Sequence, residues 1–71
     1  MKKIAKKENY MLSIQDLSVL CKHKRKELGL SMTAAAKEAY VSPATFSKIE
    51  NIRGNISLGV RIDILRWLGK L

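Results

Sequence analysis

The sequence has few of the residues that mark secreted or membrane proteins. With one cysteine, Cys21, it cannot form an internal disulfide, and no apolar stretch approaches the roughly 18 residues that a membrane span needs. The one proline, Pro43, is too isolated to mark a linker, and no repeat or low-complexity tract occurs. The basic start, Met1–Lys7, lacks the apolar stretch and cleavage site of a secretory signal. We therefore expect a single mature domain in the cytoplasm.

The sequence also lacks the residue patterns that enzymes and metalloproteins use. No Ser or Cys has a plausible His base, and neither a phosphate-binding glycine loop nor a paired-carboxylate site is evident. The single histidine, His23, has no second His and no Cys-x-x-Cys nearby, so a zinc site is not expected. The sequence therefore predicts a protein that is not an enzyme, with no cofactor and no bound metal.

Acidic residues are scarce relative to basic ones. The chain has 14 Lys and Arg against 6 Asp and Glu, which gives a formal net charge of +8 over 71 residues. Such a charge favours a polyanionic partner, either nucleic acid or an anionic membrane surface. A hydrophobic fraction of 46% is enough for one modest core, and a chain of this length has room for no more than one domain.

Serine residues precede four stretches with helical periodicity. Ser13, with Asp16 three residues later, fits a capping box. Ser42 followed by Pro43 combines an N-cap with a residue suited to the first helical position, and Gly29 can end the first helix in the left-handed conformation. The helices predicted after Ser13, Ser31, Ser42 and Ser57 span 14–28, 32–39, 43–51 and 58–69. The pattern therefore predicts an all-α protein, a compact bundle of four or five short helices.

The predicted core lies where these helices would touch. Cys21 is expected on the inner side of the first helix, and Phe46 and Ile49 on the inner side of the third. The last helix has its apolar stripe at Leu58, Ile62, Leu65 and Leu68. Trp67 and Ile64 flank that stripe, and two interpretations of Trp67 stay open: a packing residue or a dimer contact.

Only Tyr40, Val41 and Ser42 separate the second and third helices, which is right for a tight helix-turn-helix corner. Around this corner the chain resembles the Cro and phage-repressor family of helix-turn-helix regulators, also called the Xre family, over about residues 17–68. The residues that carry the resemblance are Arg25, Gly29, Leu30, Ser31, Ala36, the run Val41-Ser42-Pro43-Ala44-Thr45-Phe46-Ser47-Lys48-Ile49-Glu50, Asn55, Ser57 and Leu58.

The resemblance implies a lambda-repressor-like domain over residues 13–71, preceded by a basic N-terminal arm at 1–12, and a double-stranded DNA partner. In such proteins the N-terminal residues of the third helix contact base edges in the major groove. By position, the residues expected at base edges are Pro43, Ala44, Ser47 and Lys48. Those expected at the sugar-phosphate backbone are Thr33, Ser42, Thr45, Asn51, Arg53 and Asn55. Glu50 is expected to pair with Arg25 as a structural acid rather than to act in catalysis.

Three positions depart from the family pattern. Met32 stands where a Gln that contacts a phosphate usually opens the second helix, which removes that contact. Tyr40 replaces the usual glycine of the turn, where a positive φ costs a tyrosine steric energy. Ile52 replaces a second glycine, and Gly54 is expected to take over its role.

The function that the resemblance implies is that of a transcriptional repressor, a homodimer that occludes a two-fold related operator. Two alternatives stay open: an antitoxin or other protein-interaction module built on the same fold, and, with less support, a basic peptide at a membrane surface. The lysines of the N-terminal arm act either as a mobile tail or as an arm that embraces DNA.

Overall fold

The computed structural model describes residues 12–70, which form four helices and no strand. The helices are α1 (Ile14–Glu27), α2 (Met32–Glu38), α3 (Pro43–Glu50) and α4 (Leu58–Trp67). The all-α prediction is confirmed, and each predicted helix starts at the observed residue and ends within two residues of the observed end. The predicted basic arm lies outside the described residues except for Leu12, as does Leu71.

All four helices begin at the predicted serine. The Oγ atom of each N-cap accepts a hydrogen bond from the backbone N–H three residues later, at 3.0–3.2 Å. In α1 the capping box is complete, because the Asp16 carboxylate also accepts from the Ser13 N–H at 3.2 Å. Each cap satisfies a donor that a helix otherwise leaves without a partner, and this determines where the helices start.

All four helices also end in the same way, with a left-handed residue directly after the C-cap. The left-handed residues are Gly29, Tyr40, Ile52 and Gly69, with φ between 54° and 76°. In every case the N–H of this residue and that of the next one donate to carbonyls of the last turn at 2.8–3.2 Å, which is the Schellman arrangement. The motif therefore forms with two glycines and two residues that have a Cβ.

The expectation that Gly54 would replace a glycine at position 52 is wrong. Ile52 itself has φ 54°, and Gly54 adopts a positive φ of its own two residues later. The reason is that the hydrogen bonds require residue 52, since its N–H donates to the Ile49 carbonyl at 3.2 Å and that of Arg53 donates to the Lys48 carbonyl at 2.9 Å. A shift of two residues would leave both carbonyls without these donors.

The core lies between the inner faces of all four helices. Phe46, Ile49 and Cys21 are fully buried, as predicted. The other fully or almost fully buried apolar residues are Leu17, Ala35, Ala36, Ala39, Ile64 and Leu65. Ala35 and Ala36 of α2 and its C-cap Ala39 are small residues, which let α3 approach closely.

The predicted apolar stripe of α4 is wrong in part. Leu65 is buried, but Leu58 is 65% exposed, and Ile64, which was expected to flank the stripe, is buried instead. Leu58 is the first residue of its helix, directly after the loop, whereas Ile64 and Leu65 lie in the second half of α4, which contacts the rest of the core. Periodicity alone therefore placed the buried face of α4 incorrectly in part.

Trp67 joins the end of α4 to the other three helices. Its ring packs edge-on against the Phe46 ring of α3, with centroids 5.6 Å apart, and its Nε1–H donates to the Glu38 carboxylate of α2 at 3.3 Å. From α1, the Lys24 ammonium lies 5.0 Å from the ring centroid and donates to the Trp67 carbonyl. These contacts favour the packing interpretation of Trp67.

Candidate nucleic-acid interface

The two sides of α3 differ in burial and chemistry. The inner face, Phe46, Ile49 and Glu50, is buried. The outer face consists of Pro43, Ala44, Ser47 and Lys48, of which Ser47 is half-buried and the others are exposed. The segment is therefore a helix that turns a small polar edge and one lysine outward, and the structure brings all four residues predicted at base edges onto this face.

The corner before α3 is tight although it contains no glycine. Tyr40 has φ 62° and is 83% exposed. Its N–H donates to the Lys37 carbonyl, and the N–H of Val41 donates to the Ala36 carbonyl at 3.0 Å. Because the left-handed residue points its side chain into solvent, the tyrosine ring meets no packing obstacle. The corner thus keeps the hydrogen bonding that a glycine would allow.

An ion pair holds the C-terminal end of α3 against α1. The Arg25 Nε lies 2.7 Å from one Glu50 carboxylate oxygen, and Nη2 lies 3.2 Å from the other. Arg25 also donates to the Leu30 carbonyl at 3.2 Å. The hydrogen bond with Glu50 raises the pKa of the Arg25 guanidinium above its ordinary value. The pairing predicted between these residues is confirmed, and it fixes α3 from the side opposite its outer face.

Ser18 makes a second tie that the sequence analysis missed. Its hydroxyl is buried and donates to the Glu50 backbone carbonyl at 2.8 Å. That carbonyl is one of the four at the helix end that have no partner inside α3. The signal for Ser18 in the sequence is weak, because a serine next to the core residue Leu17 is equally consistent with an exposed position.

The hydroxyl groups at the start of α3 are ordered as a pair. The Ser42 Oγ atom accepts from the Thr45 N–H at 3.1 Å and donates to the Thr45 Oγ1 at 2.9 Å. Since a hydroxyl has one hydrogen, Ser42 has none left for an external acceptor. The Thr45 hydroxyl accepts this bond and keeps its own hydrogen, which makes it the available donor of the pair.

A similar pair orders the other end of the outer face. The Asn51 Nδ2 donates to the Ser47 backbone carbonyl at 2.9 Å and to the Ser47 Oγ at 3.2 Å. Asn51 is exposed and lies one helical turn after Ser47. The amide group is thus held by α3 itself.

The segment that contains α3, residues 39–62, has exposed charges of one sign only. From Ala39 to Ile62 the sequence has one carboxylate, that of Glu50, which is 3% exposed and paired with Arg25. Lys48 and Arg53 are both exposed in the same stretch. A phosphate chain that approached this segment would therefore meet positive charge, and the segment itself has no exposed carboxylate.

The six residues predicted at the DNA backbone lie in and around the helix-turn-helix. Thr33 lies in the first turn of α2, Ser42 and Thr45 at the start of α3, and Asn51, Arg53 and Asn55 at or beyond its end. All are exposed except Thr45, which is half-buried. Their contacts with DNA, and those of the outer face with base edges, stay predictions.

Other groups with potential chemistry are accounted for by packing or lie apart from each other. Burial raises the pKa of the Cys21 thiol to about 12, and the Glu50 charge adds to this effect. The exposed His23 lies 3.8 Å from the Glu27 carboxylate on α1. Within residues 12–70 no group of three or more His, Cys, Asp or Glu could hold a metal ion, and no helix is long and apolar enough to cross a membrane.

In a comparison with protein families, residues 22–69 matched the helix-turn-helix family of the Cro and phage-repressor type. The matched span includes α2, the corner, α3 and α4, and it covers more than half of the chain. No curated protein and no solved structure matched the sequence.

Proposed function

The chain belongs to the Cro and phage-repressor family of helix-turn-helix proteins, the Xre-like DNA-binding regulators, and from this premise we propose that it is a sequence-specific repressor. In this proposal α3 enters the major groove of double-stranded DNA with its outer face toward the base edges. The observation that carries it is the helical segment 43–50, which is fixed from behind by Glu50 and Phe46 and free in front.

The base-edge contacts come from the outer face. Lys48 donates to guanine O6 and N7, and the Ala44 methyl group touches a thymine methyl. Pro43 and Ala44, at the N-terminal end of α3, are small enough to let the helix approach the bases closely. Ser47 offers a hydroxyl, whose direction depends on Asn51.

The backbone contacts fix the register of the protein without selecting sequence. Arg53 supplies charge to a phosphate, and Thr33 and Asn55 supply a hydroxyl and an amide. At the start of α3 the Thr45 hydroxyl is the one that donates to a phosphate, and Ser42 acts through it because the Ser42 hydrogen is used within the pair. By its position Asn51 was expected in this group, but its amide nitrogen is already engaged by Ser47.

Repression follows from occupancy of the operator by two copies of the chain. One module of this size buries too little DNA surface to select a site, whereas two half-sites about one DNA turn apart multiply the discrimination. A bound homodimer then excludes other proteins from the same DNA, in the cytoplasm where the operator lies. No chemical step is needed, and the proposal assigns the chain no catalysis.

Selection of bound sequences from a random DNA pool at physiological salt tests this function, and sedimentation of the complex measures its stoichiometry. We expect one preferred sequence with two-fold symmetry and two chains per site. Equal binding of all sequences would contradict sequence-specific regulation.

A second candidate function, that of an antitoxin or protein-interaction module, is favoured by one observation. Several large apolar side chains are exposed, among them Val19, Leu28 and Leu58. Such side chains are typical of proteins that bind a partner when they form one contiguous patch. Sedimentation of the protein without DNA separates the candidates, because a homodimer supports the repressor and a monomer that binds no operator supports the interaction module.

A further inference from the structure

Ser47 and Asn51 form a hydrogen-bonded pair in which one donor and one acceptor remain unused. The backbone of α3 determines which atom is the donor and which is the acceptor. The two residues lie four positions apart, so their side chains are neighbours on the surface of α3. The Asn51 Nδ2 is 2.9 Å from the Ser47 carbonyl oxygen and 3.2 Å from the Ser47 Oγ. These two distances determine which atoms of the pair remain free to donate or to accept a hydrogen bond.

The orientation of the Asn51 amide follows from the backbone. A carbonyl oxygen can only accept, so the Asn51 atom at 2.9 Å from the Ser47 carbonyl must be the nitrogen and not the oxygen. The same nitrogen then donates to the Ser47 Oγ. In consequence, the Asn51 Oδ1 remains as an acceptor, and the Ser47 hydroxyl, which already accepts, keeps its hydrogen to donate.

The pair therefore presents one donor and one acceptor side by side on the solvent side of α3. A phosphate has no donor, so it cannot use the Asn51 Oδ1, and the Asn51 nitrogen is engaged by Ser47. Among single bases in the major groove, guanine presents two acceptors, cytosine one donor and thymine one acceptor with a methyl group. Adenine presents both an acceptor, N7, and a donor, the N6 amino group.

We propose that Ser47 and Asn51 act together to recognise an adenine, with the Ser47 hydroxyl donating to N7 and the Asn51 Oδ1 accepting from the N6 amino group. Asn51 is then a specificity-determining residue and not a contact to the DNA backbone. This inference rests on the proposed entry of α3 into the major groove, and it adds the base that one position of the operator must contain.

The test uses wild-type protein on the operator selected from the random pool. In turn, each adenine of the operator is replaced by 7-deazaadenine, which lacks N7, and by purine, which lacks the amino group. We expect one adenine per half-site at which each analogue lowers the affinity about tenfold, in the range of a lost base contact. This arm needs no variant, so it does not depend on the folding of a mutant.

The variants Ser47→Ala, Asn51→Ala and the double variant assign the effect to the pair. Ser47→Ala should remove the sensitivity to 7-deazaadenine at that adenine, and Asn51→Ala should remove the sensitivity to purine. The double variant should lose both, because each residue supplies one of the two contacts. The dependence of affinity on salt should stay as in wild type. Lys48→Ala is the matched control, and its effect should fall on a different base pair.

Two results would overturn the inference. In one, Asn51→Ala weakens binding to all sequences equally and flattens the salt dependence, which is the behaviour of a phosphate contact. In the other, wild-type protein binds its operator with no analogue-sensitive adenine, or prefers a G·C pair at the position that Ser47→Ala affects. If the proposed function itself is wrong, the result is distinguishable, because wild-type protein would then prefer no DNA sequence at all.

Discussion

The inner and outer faces of α3 belong to one eight-residue helix, yet they depend on different physics. The inner face is held by Phe46 in the core and by the buried Glu50, whose carboxylate is bound by Arg25. On the outer side, the side-chain hydrogen bonds given by the Ser42–Thr45 and Ser47–Asn51 pairs stay within α3 and its caps. The comparison teaches that stability and recognition can be changed separately in this protein.

The largest effect is expected from Phe46→Ala, which tests the role of the inner face in stability. Removal of a fully buried aromatic side chain should lower the free energy of unfolding by about 3–5 kcal/mol, which in a domain this small leaves little folded protein. Thermal melting followed by circular dichroism measures the loss. The control is Lys48→Ala on the outer face, which should melt like wild type. A Phe46→Ala protein that melts near the wild-type temperature would show that the inner face does not support the fold.

Glu50→Gln tests the ion pair of the inner face. The change leaves the Arg25 guanidinium, itself largely buried, without its anionic partner, and it should cost about 3 kcal/mol of stability. Glu27→Gln is the matched control, because it removes the same charge from an exposed contact with His23, which is worth almost nothing. Chemical denaturation of both variants compares them, and equal midpoints would refute a structural role for the pair.

On the outer face, Lys48→Ala should weaken binding to the preferred operator by about 1–3 kcal/mol and relax the preference at one base position. Arg53→Ala, beyond the end of α3, should weaken all sequences alike and flatten the salt dependence. Titration of both variants against the selected operator and a scrambled one at several salt concentrations distinguishes them. An unchanged sequence preference in Lys48→Ala would show that this lysine does not contact a base.

The smallest expected effect concerns the end of α3, which belongs to neither face. Ile52 has a positive φ, which costs a β-branched residue about 1–2 kcal/mol, so Ile52→Gly should stabilise the protein by about 1 kcal/mol. Gly29→Ala is the opposite change. An added Cβ there meets no atom within 4 Å, so the loss of stability comes from the backbone conformation alone. Melting curves should shift in opposite directions, and the preferred operator should stay the same for both variants. A destabilised Ile52→Gly protein would show that burial of the isoleucine outweighs its strain.

Local signals in the sequence were sufficient for the helices and the outer face. Each serine cap depends on residues within three positions, and the three-residue separation of α2 from α3 leaves a tight corner as the simplest path. The burial of Phe46, Ile49 and Glu50 then determines which side of α3 faces solvent, and the pairing of Glu50 with Arg25 was available from the family resemblance. The hydrogen bond from Ser18 to the Glu50 carbonyl and the buried side of α4 were not predictable in the same way, because each depends on residues that are distant in the chain.

By itself, the sequence determined where the helices start and end and that a positively charged helix-turn-helix would result, since caps, spacing and charge are local or additive properties. Only the tertiary structure decided that Tyr40 and Ile52 adopt the left-handed conformation, that Ser18 holds the end of α3, and that Leu58 stays outside the core. For Tyr40 and Ile52 the strain of the left-handed conformation is balanced by the hydrogen bonds that end each helix, whereas the other two outcomes depend on contacts between helices. The contacts are defined only once all four helices have packed together.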